Sequence, residues 1–369
     1  VIMKPVPKEG ILDMPAYVGG RDAIKGIANP YKMSANENPL GASPAALAAL
    51  EKAFDPSVYP DGHATALREA LAKLNGLNAD NIVCGNGSDD ILQLLAQAYL
   101  GPGDEVLHTE HAFLIYKLAS RATGARPLAV RETGLTANVD SLLEAVTPAT
   151  RMVFLANPNN PTGTMLARDD IVRLHAGLGG GTILVLDGAY AEYCDPQTYP
   201  AGFDLVEQHD NIVTTRTFSK AYGLAALRLG WGYCPPDIAN VLNRLRGPFN
   251  INQPAMAAGL VALEDQGHIE ASRSHNAHWR EWLVQQLGGI GFSVRASFAN
   301  FILVEFDSDQ QAAAAEAFLC ARGVIPRGLT AYGLPHALRL SIGTEAANRA
   351  ALTALTHFVA GADVAETGK

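Results

Sequence analysis

Apolar positions along the chain fall into two alternating rhythms. Short apolar runs at Glu105–Thr109, Arg151–Ala156, Thr182–Leu186 and Asn211–Thr215 are separated by stretches whose apolar residues recur at helical spacing. The short runs read as strands and the periodic stretches as helices. The clearest helix covers Asp89–Tyr99, where Ile91, Leu92, Leu95, Ala98 and Tyr99 share one face. A glycine turn, Gly85-Asn86-Gly87-Ser88, opens it, and Gly101-Pro102-Gly103-Asp104 ends it. An earlier helix starts at Ser43-Pro44, with Ser43 as N-cap and Pro44 at the first helical position. Another runs from about His63 to Leu74 and is closed by Asn75-Gly76. Strands alternating with helices predict a mostly parallel sheet covered on both faces, an α/β fold.

The rhythm changes after Pro254. Two long helical patterns, about Ala255–Asp265 and His268–Leu287, precede strand Phe301–Phe306, helix Gln310–Ala321, strand Leu338–Ile342 and a terminal helix. Fewer strands suit a smaller α/β domain. The expected division is a large domain over 31–250 and a small one over 251–369, with the irregular residues 1–30 folded back onto the latter.

Composition narrows the function classes. The chain has 369 residues, 48% of them hydrophobic, enough for a sizeable core and no sign of disorder. Its formal net charge is −9 and no lysine/arginine cluster tracks a phosphate backbone, so nucleic acid is not an expected partner. Cys84, Cys194, Cys234 and Cys320 lie far apart with no CxxC pair, which argues free thiols in a reducing compartment and no zinc site. No apolar stretch has the length of a signal peptide or a membrane span, and a soluble cytoplasmic protein is expected.

Four segments carry candidate chemistry. In Thr217-Phe218-Ser219-Lys220, followed by Arg228, the lysine trails an apolar strand. Alone it would read as an ordinary surface lysine. At the carboxyl end of a parallel strand, where α/β folds bind ligands, it can be a nucleophile that condenses with an aldehyde. Thr217, Ser219 and Arg228 could then serve a phosphate. Asp187 ends the run Leu184-Val185-Leu186 and precedes Tyr190. It is either a helix N-cap or a buried carboxylate that needs a cation such as a pyridinium nitrogen. Asn157-Pro158-Asn159-Asn160-Pro161-Thr162-Gly163 is a rigid turn, and at a strand end it can also hold an asparagine amide toward a ligand. The Gly85–Ser88 turn offers free amides at a helix N-terminus, a ready phosphate site. It is not a dinucleotide fingerprint, because Asp90 stands where a third glycine or alanine is required.

In this order the segments resemble the fold-type I pyridoxal-phosphate (PLP) aminotransferases. They are most similar to the histidinol-phosphate aminotransferase subgroup, through Ser34-Ala35-Asn36-Glu37-Asn38-Pro39-Leu40-Gly41, Tyr59-Pro60-Asp61-Gly62, Gly85–Asp90, Asn157–Gly163, Ser219-Lys220-Ala221 to Leu227-Arg228, and Leu338-Arg339-Leu340-Ser341-Ile342-Gly343. The resemblance implies a large domain with a mostly parallel seven-stranded sheet plus a smaller α/β domain. It implies that Lys220 holds the cofactor as a Schiff base and moves the substrate's α-proton, and that Asp187 pairs with the ring nitrogen. Asn160 and Tyr190 would bind the ring hydroxyl. Gly87, Ser88, Asp89, Thr217, Ser219 and Arg228 would surround the phosphate, and Phe113 would stack on the ring. Tyr59 would reach the neighbouring subunit's cofactor, giving a homodimer with shared active sites. Arg339, Asn36 and Tyr17 would meet the substrate, with Arg339 buried and waiting for an anion. The implied partners are a small amino donor and an oxo acid.

Two segments depart from the subgroup. Where it places a tyrosine in a Pro-Thr-Tyr-like stretch, this chain reads Glu110-His111-Ala112-Phe113-Leu114-Ile115-Tyr116, leaving open whether Phe113 or Tyr116 faces the ring. The match around Tyr17 is loose. The resemblance therefore also admits an aromatic amino-acid aminotransferase, a threonine-phosphate decarboxylase, or a catalytically silent regulator. Retention of Lys220 speaks against the last.

Overall fold

The computed structural model describes residues 5–8, 10–12, 14, 19–52 and 54–361. Seven strands form the central sheet: β1 (Ile82–Gly85), β2 (Glu105–Thr109), β3 (Arg126–Val130), β4 (Thr150–Ala156), β5 (Ile183–Asp187), β6 (Ile212–Thr217) and β7 (Gly230–Tyr233). Their spatial order is β1-β7-β6-β5-β4-β2-β3. All pairings are parallel except those of β7, which runs antiparallel to both β1 and β6. The interior strands β4 to β6 are almost wholly buried, as a sheet covered on both faces requires. One core packs on each face, around Leu155, Leu186 and Phe218 on one side and Phe154, Val185 and Val213 on the other.

The parallel strands and the helix at Ser88–Tyr99 stand as the hydrophobic rhythm predicts. Three strands were not legible in it. In β7, two glycines in Gly230-Trp231-Gly232-Tyr233 mimic a turn; β1 runs straight into the glycine turn; and β3 is an edge strand with a largely exposed, polar-flanked face. The helix expected from His63 starts at Thr65, and Gly76 closes it at φ +68°. Ser43 caps the helix Pro44–Glu51, its side chain accepting from the Ala46 amide.

A second, four-stranded antiparallel sheet is built from β8 (Ser293–Val294), β9 (Phe301–Glu305), β10 (Arg327–Leu329) and β11 (Leu334–Ser341), in the order β8-β9-β11-β10. It packs against helices Asp309–Ala321 and Glu345–Val359 around Ile302, Leu319, Leu340 and Leu355. Helix Gln253–Glu264 belongs by packing to the first core, through Ala255, Met256 and Ala258. Near the start of the chain, Tyr31–Lys32 pairs in parallel with Val324–Ile325. Among the described residues no helix is long and apolar enough to cross a membrane.

Going along the chain, the sheet order reverses between β2 and β4, so the carboxyl ends of β4, β5 and β6 and the loop after β2 diverge around one crevice. On the antiparallel side, Gly230 backs the N-terminus of the helix Ser88–Tyr99: a Cβ there would lie 2.2 Å from the Ser88 nitrogen and 2.5 Å from the Gly87 carbonyl carbon. Gly230→Ala should therefore push strand and helix apart and destabilise the protein by about 2 kcal/mol. Denaturant unfolding checks this; an unchanged midpoint would mean the close approach is not needed.

Candidate active site

The crevice is a cavity of about 200 Å³, and it gathers most of the residues singled out from sequence. Lys220, Asp187, Tyr190, Asn160, Phe113, Ser88, Asp89, Thr217, Ser219, Arg228, Asn36 and Arg339 all line it. Gly87 sits just behind. Its φ of +87° favours glycine, and a Cβ there would press on the Arg228 guanidinium at 2.5 Å. Tyr59 lies elsewhere, 77% exposed and stacked on Phe249 with ring centroids 4.4 Å apart. Tyr17 lies outside the described residues.

At one end the cavity suits an anion. The helix Ser88–Tyr99 presents its N-terminal amides there, and Arg228, at φ +54°, donates to the Ser219 hydroxyl at 3.0 Å. Asp89 stands 3.6 Å from Arg228, and burial raises its carboxyl above the usual range, partly offset by Arg228 and Lys220. Thr217 accepts from the Ser219 amide at 3.1 Å, which fixes the turn leading into Lys220.

Another part of the cavity suits a cation. Asp187 is 4% exposed, and among the described residues no lysine or arginine pairs with it. Burial raises its carboxyl above the ordinary value, against hydrogen bonds that hold it down: Tyr116 donates to Oδ2 at 2.7 Å, Thr215 to Oδ1 at 3.1 Å, and the Ala189 backbone amide adds to them. A buried carboxylate with room for a further donor is incomplete without a cationic group in the cavity.

Lys220 also lines the cavity. Its ammonium donates to the Ala35 carbonyl at 3.3 Å and lies 5.8 Å from the Tyr190 ring centre. Burial first, then the nearby Arg339 and Arg228 charges, push its pKa down to about 8 despite Asp89 and Glu37. An amine so tuned is a usable nucleophile near neutral pH. An anion seat, an activated amine and a carboxylate with no cationic partner among the described residues, all in one cavity, fit PLP, with its phosphate, aldehyde and ring nitrogen.

One expectation is corrected. Arg339 is buried, but it does not wait without partners: it donates to Asn160 Oδ1 and, at 2.8 Å, to the Ser34 carbonyl. A guanidinium desolvated beside the small sheet needs such acceptors even before any anion arrives. Because Asn160 uses its oxygen on Arg339, its NH₂ remains the donating end. Asn36, expected at the substrate, lines the cavity and is also engaged within the protein. At φ +56° it donates to the Tyr190 hydroxyl at 2.9 Å, while the Ser341 hydroxyl donates to its Oδ1 at 2.9 Å.

Sequence reading missed Thr215, Arg327 and Tyr332 and left Tyr116 ambiguous. Thr215 lies two positions before Thr217, on the same side of β6, and strand alternation could have found it. Arg327 reaches the cavity only because β10 pairs with β11 so that Arg327 stands opposite Arg339, a register that no local pattern announces. Tyr332 lines the cavity from the turn beyond β10, and His111 Nδ1 lies 2.8 Å from its carbonyl oxygen. Among the described residues no group of three or more histidine, cysteine, aspartate or glutamate side chains could hold a metal ion.

Comparison with known proteins agrees with this geometry. Residues 28–355 match the family described as aminotransferase class I and II. A histidinol-phosphate aminotransferase of Paramagnetospirillum magneticum is 50% identical over 359 residues, covering 96% of this chain and 99% of that protein. One from Rhodopseudomonas palustris is 49% identical over 364 residues, covering 97% and 99%. The crystal structure of histidinol-phosphate aminotransferase from Sinorhizobium meliloti in complex with pyridoxal-5'-phosphate matches with a TM-score of 0.85 and 27% identity, covering 90% of this chain and 92% of that one.

The depressed Lys220 amine is directly measurable. Only the neutral amine acylates, so trace acetic anhydride labelling of the apoprotein across pH, followed by peptide mapping, should give Lys220 a midpoint near 8, well below the ordinary 10.5. A midpoint above 10 would show that the cavity does not desolvate this amine.

Proposed function

We propose, for a chain that belongs to the class I and II aminotransferase family, that it exchanges an amino group between histidinol phosphate and 2-oxoglutarate, forming imidazole acetol phosphate and glutamate as a step of histidine biosynthesis. The observation that carries this choice of substrate is the pair of arginines, Arg327 and Arg339, opposite each other on neighbouring strands and lining the same cavity as Lys220. Two guanidiniums suit a phosphate monoester and equally the distal carboxylate of glutamate, so one anchor can serve both half-reactions. Near-full-length relatives bearing that name at about 50% identity support the same reading.

PLP supplies an aldehyde that condenses with amines and a protonated ring that accepts the electron pair released at the substrate's α-carbon. In this reading the chain's residues divide the remaining work. Arg228, Ser219, Thr217 and the amides at Gly87, Ser88 and Asp89 seat the phosphate. Asp187 holds the ring nitrogen's proton. Tyr190, fixed by Asn36, and the Asn160 amide address the ring hydroxyl, while Phe113 covers the ring. Lys220, about half neutral near pH 8, would be the base that takes the proton from the substrate α-carbon and carries it toward the cofactor. Asn160 ties the two ends together, because its oxygen also holds Arg339.

We further propose a homodimer with shared sites. Leu47, Phe54, Val58, Tyr59 and Phe249 are all at least 44% exposed, and beside them lies a groove lined by Leu50, Phe54, Pro254 and Val261. So much apolar surface in one area is typical of an interface. The domain plan stays 31–250 with 1–30 and 251–369, although helix Gln253–Glu264 packs with the larger core. A cytoplasmic location is in keeping with four free, buried cysteines.

Each part of the proposal has its own test. Borohydride should fix the cofactor covalently on Lys220; an adduct mapped to another lysine would remove Lys220 from its role. In single-turnover half-reactions, Arg339→Ala should lower the rate constant over the dissociation constant by about a hundredfold with both glutamate and histidinol phosphate, since each loses a bidentate charged contact. Faster turnover of phenylalanine or tyrosine than of histidinol phosphate by the unaltered protein would instead identify an aromatic aminotransferase. Sedimentation should report a dimer, and Tyr59→Phe should weaken PLP retention without changing assembly; a fully active monomer would end the shared-site reading.

A further inference from the structure

Tyr116 is fully buried in the first turn of helix Leu114–Thr123, directly after the loop that follows β2. Its ring lies parallel to Phe154 of β4, centroids 4.8 Å apart, and Phe113 meets it edge-on at 5.9 Å. Packing alone would be satisfied by phenylalanine. The hydroxyl instead donates to Asp187 Oδ2 at 2.7 Å. From the other side Thr215, the register partner of Asp187 on β6, donates to Oδ1 at 3.1 Å. Each carboxylate oxygen thus takes one hydroxyl, from two different elements. A carboxylate has about four acceptor positions, so capacity remains toward the cavity that Asp187 lines.

The chemistry of the two donors matters. A buried tyrosine beside a carboxylate keeps its own proton, because burial and the neighbouring negative charge push its ionisation far up. It can therefore only donate, which favours the ionised form of Asp187 and opposes the burial that would neutralise it. Two donors on separate oxygens also stop the carboxylate from rotating.

We propose that Tyr116, together with Thr215, is a positioning residue for the transamination: the two hydroxyls hold Asp187 ionised and aimed, and so set how firmly the cofactor's ring nitrogen stays protonated. The proposal rests on the reading that Asp187 faces that nitrogen.

The test compares binding of PLP with binding of its 1-deaza analogue, in which the ring nitrogen is replaced by CH. Apoprotein of the unaltered chain and of Tyr116→Phe, Thr215→Val and Asp187→Ala is titrated with each. Tyr116→Phe keeps the stacked ring and removes one hydrogen bond to a charged acceptor. It should weaken PLP binding by about tenfold while changing binding of the deaza analogue less than about twofold. With ¹⁵N-labelled PLP, the ring-nitrogen resonance of this variant should move toward the unprotonated position. Thr215→Val, nearly isosteric, should shift both readouts the same way and serves in place of Tyr116→Phe if that variant does not fold. Equal losses for PLP and the analogue in both hydroxyl variants, with Asp187→Ala still discriminating between them, would overturn the proposal alone and leave Asp187 in its role. If Asp187→Ala does not discriminate either, the pairing of Asp187 with the nitrogen falls, and the proposal with it.

Discussion

The architecture turns on accommodating a carboxylate where there is almost no water. Asp187 closes the central strand of a sheet covered on both faces, and taking such a charge out of solvent is costly unless donors or a cation compensate. Compensation comes from both flanks. Parallel register places Thr215 beside Asp187 on one neighbouring strand, and on the other side Tyr116 reaches over Phe154 of β4. The order and register of β4, β5 and β6 thus bear directly on the site, because a slip of one residue would turn the hydroxyl or the carboxylate to the opposite face. What the hydroxyls leave unfinished is the positive charge, which the proposed cofactor would bring.

The rest of the cavity shows the same economy of paired groups. Arg339 comes from the antiparallel sheet, Asn160 from a turn after β4, and Ser34 from the segment that leads into the first helix. Asn36, Ser341 and Tyr190 form a second such junction. These bonds tie the antiparallel sheet to the segments around the cavity. They provide acceptors for a buried guanidinium and a donor for a buried hydroxyl, and so fix where those groups stand in the cavity wall. Losing one member should therefore disturb positions at both ends, which is the expected behaviour of a connected polar network.

What the sequence by itself determined was the set of strand ends and the chemistry displayed on them. Apolar runs of strand length that stop at Asp187, at Asn157 and just before Thr217 to Lys220 place those groups at the carboxyl edge of a parallel sheet, because strand polarity and side-chain type are local properties. The helix at Ser88–Tyr99, with its glycine turn, was legible for the same reason. Tertiary structure alone decided which groups became neighbours. Glycine-rich β7 and exposed β3 count as strands only through their partners. Arg327 enters the cavity through antiparallel register with Arg339, and Tyr116 is distinguished from Phe113 by the one carboxylate within reach of its hydroxyl. Arg339 and Asn36 were recognised as site residues, yet their engagement with Asn160, Ser34, Ser341 and Tyr190 depends on contacts across more than a hundred residues of chain. A hydrogen bond acts over about 3 Å of space regardless of separation along the chain, so residue types and periodicity are readable from sequence while such pairings are settled only when the sheets pack.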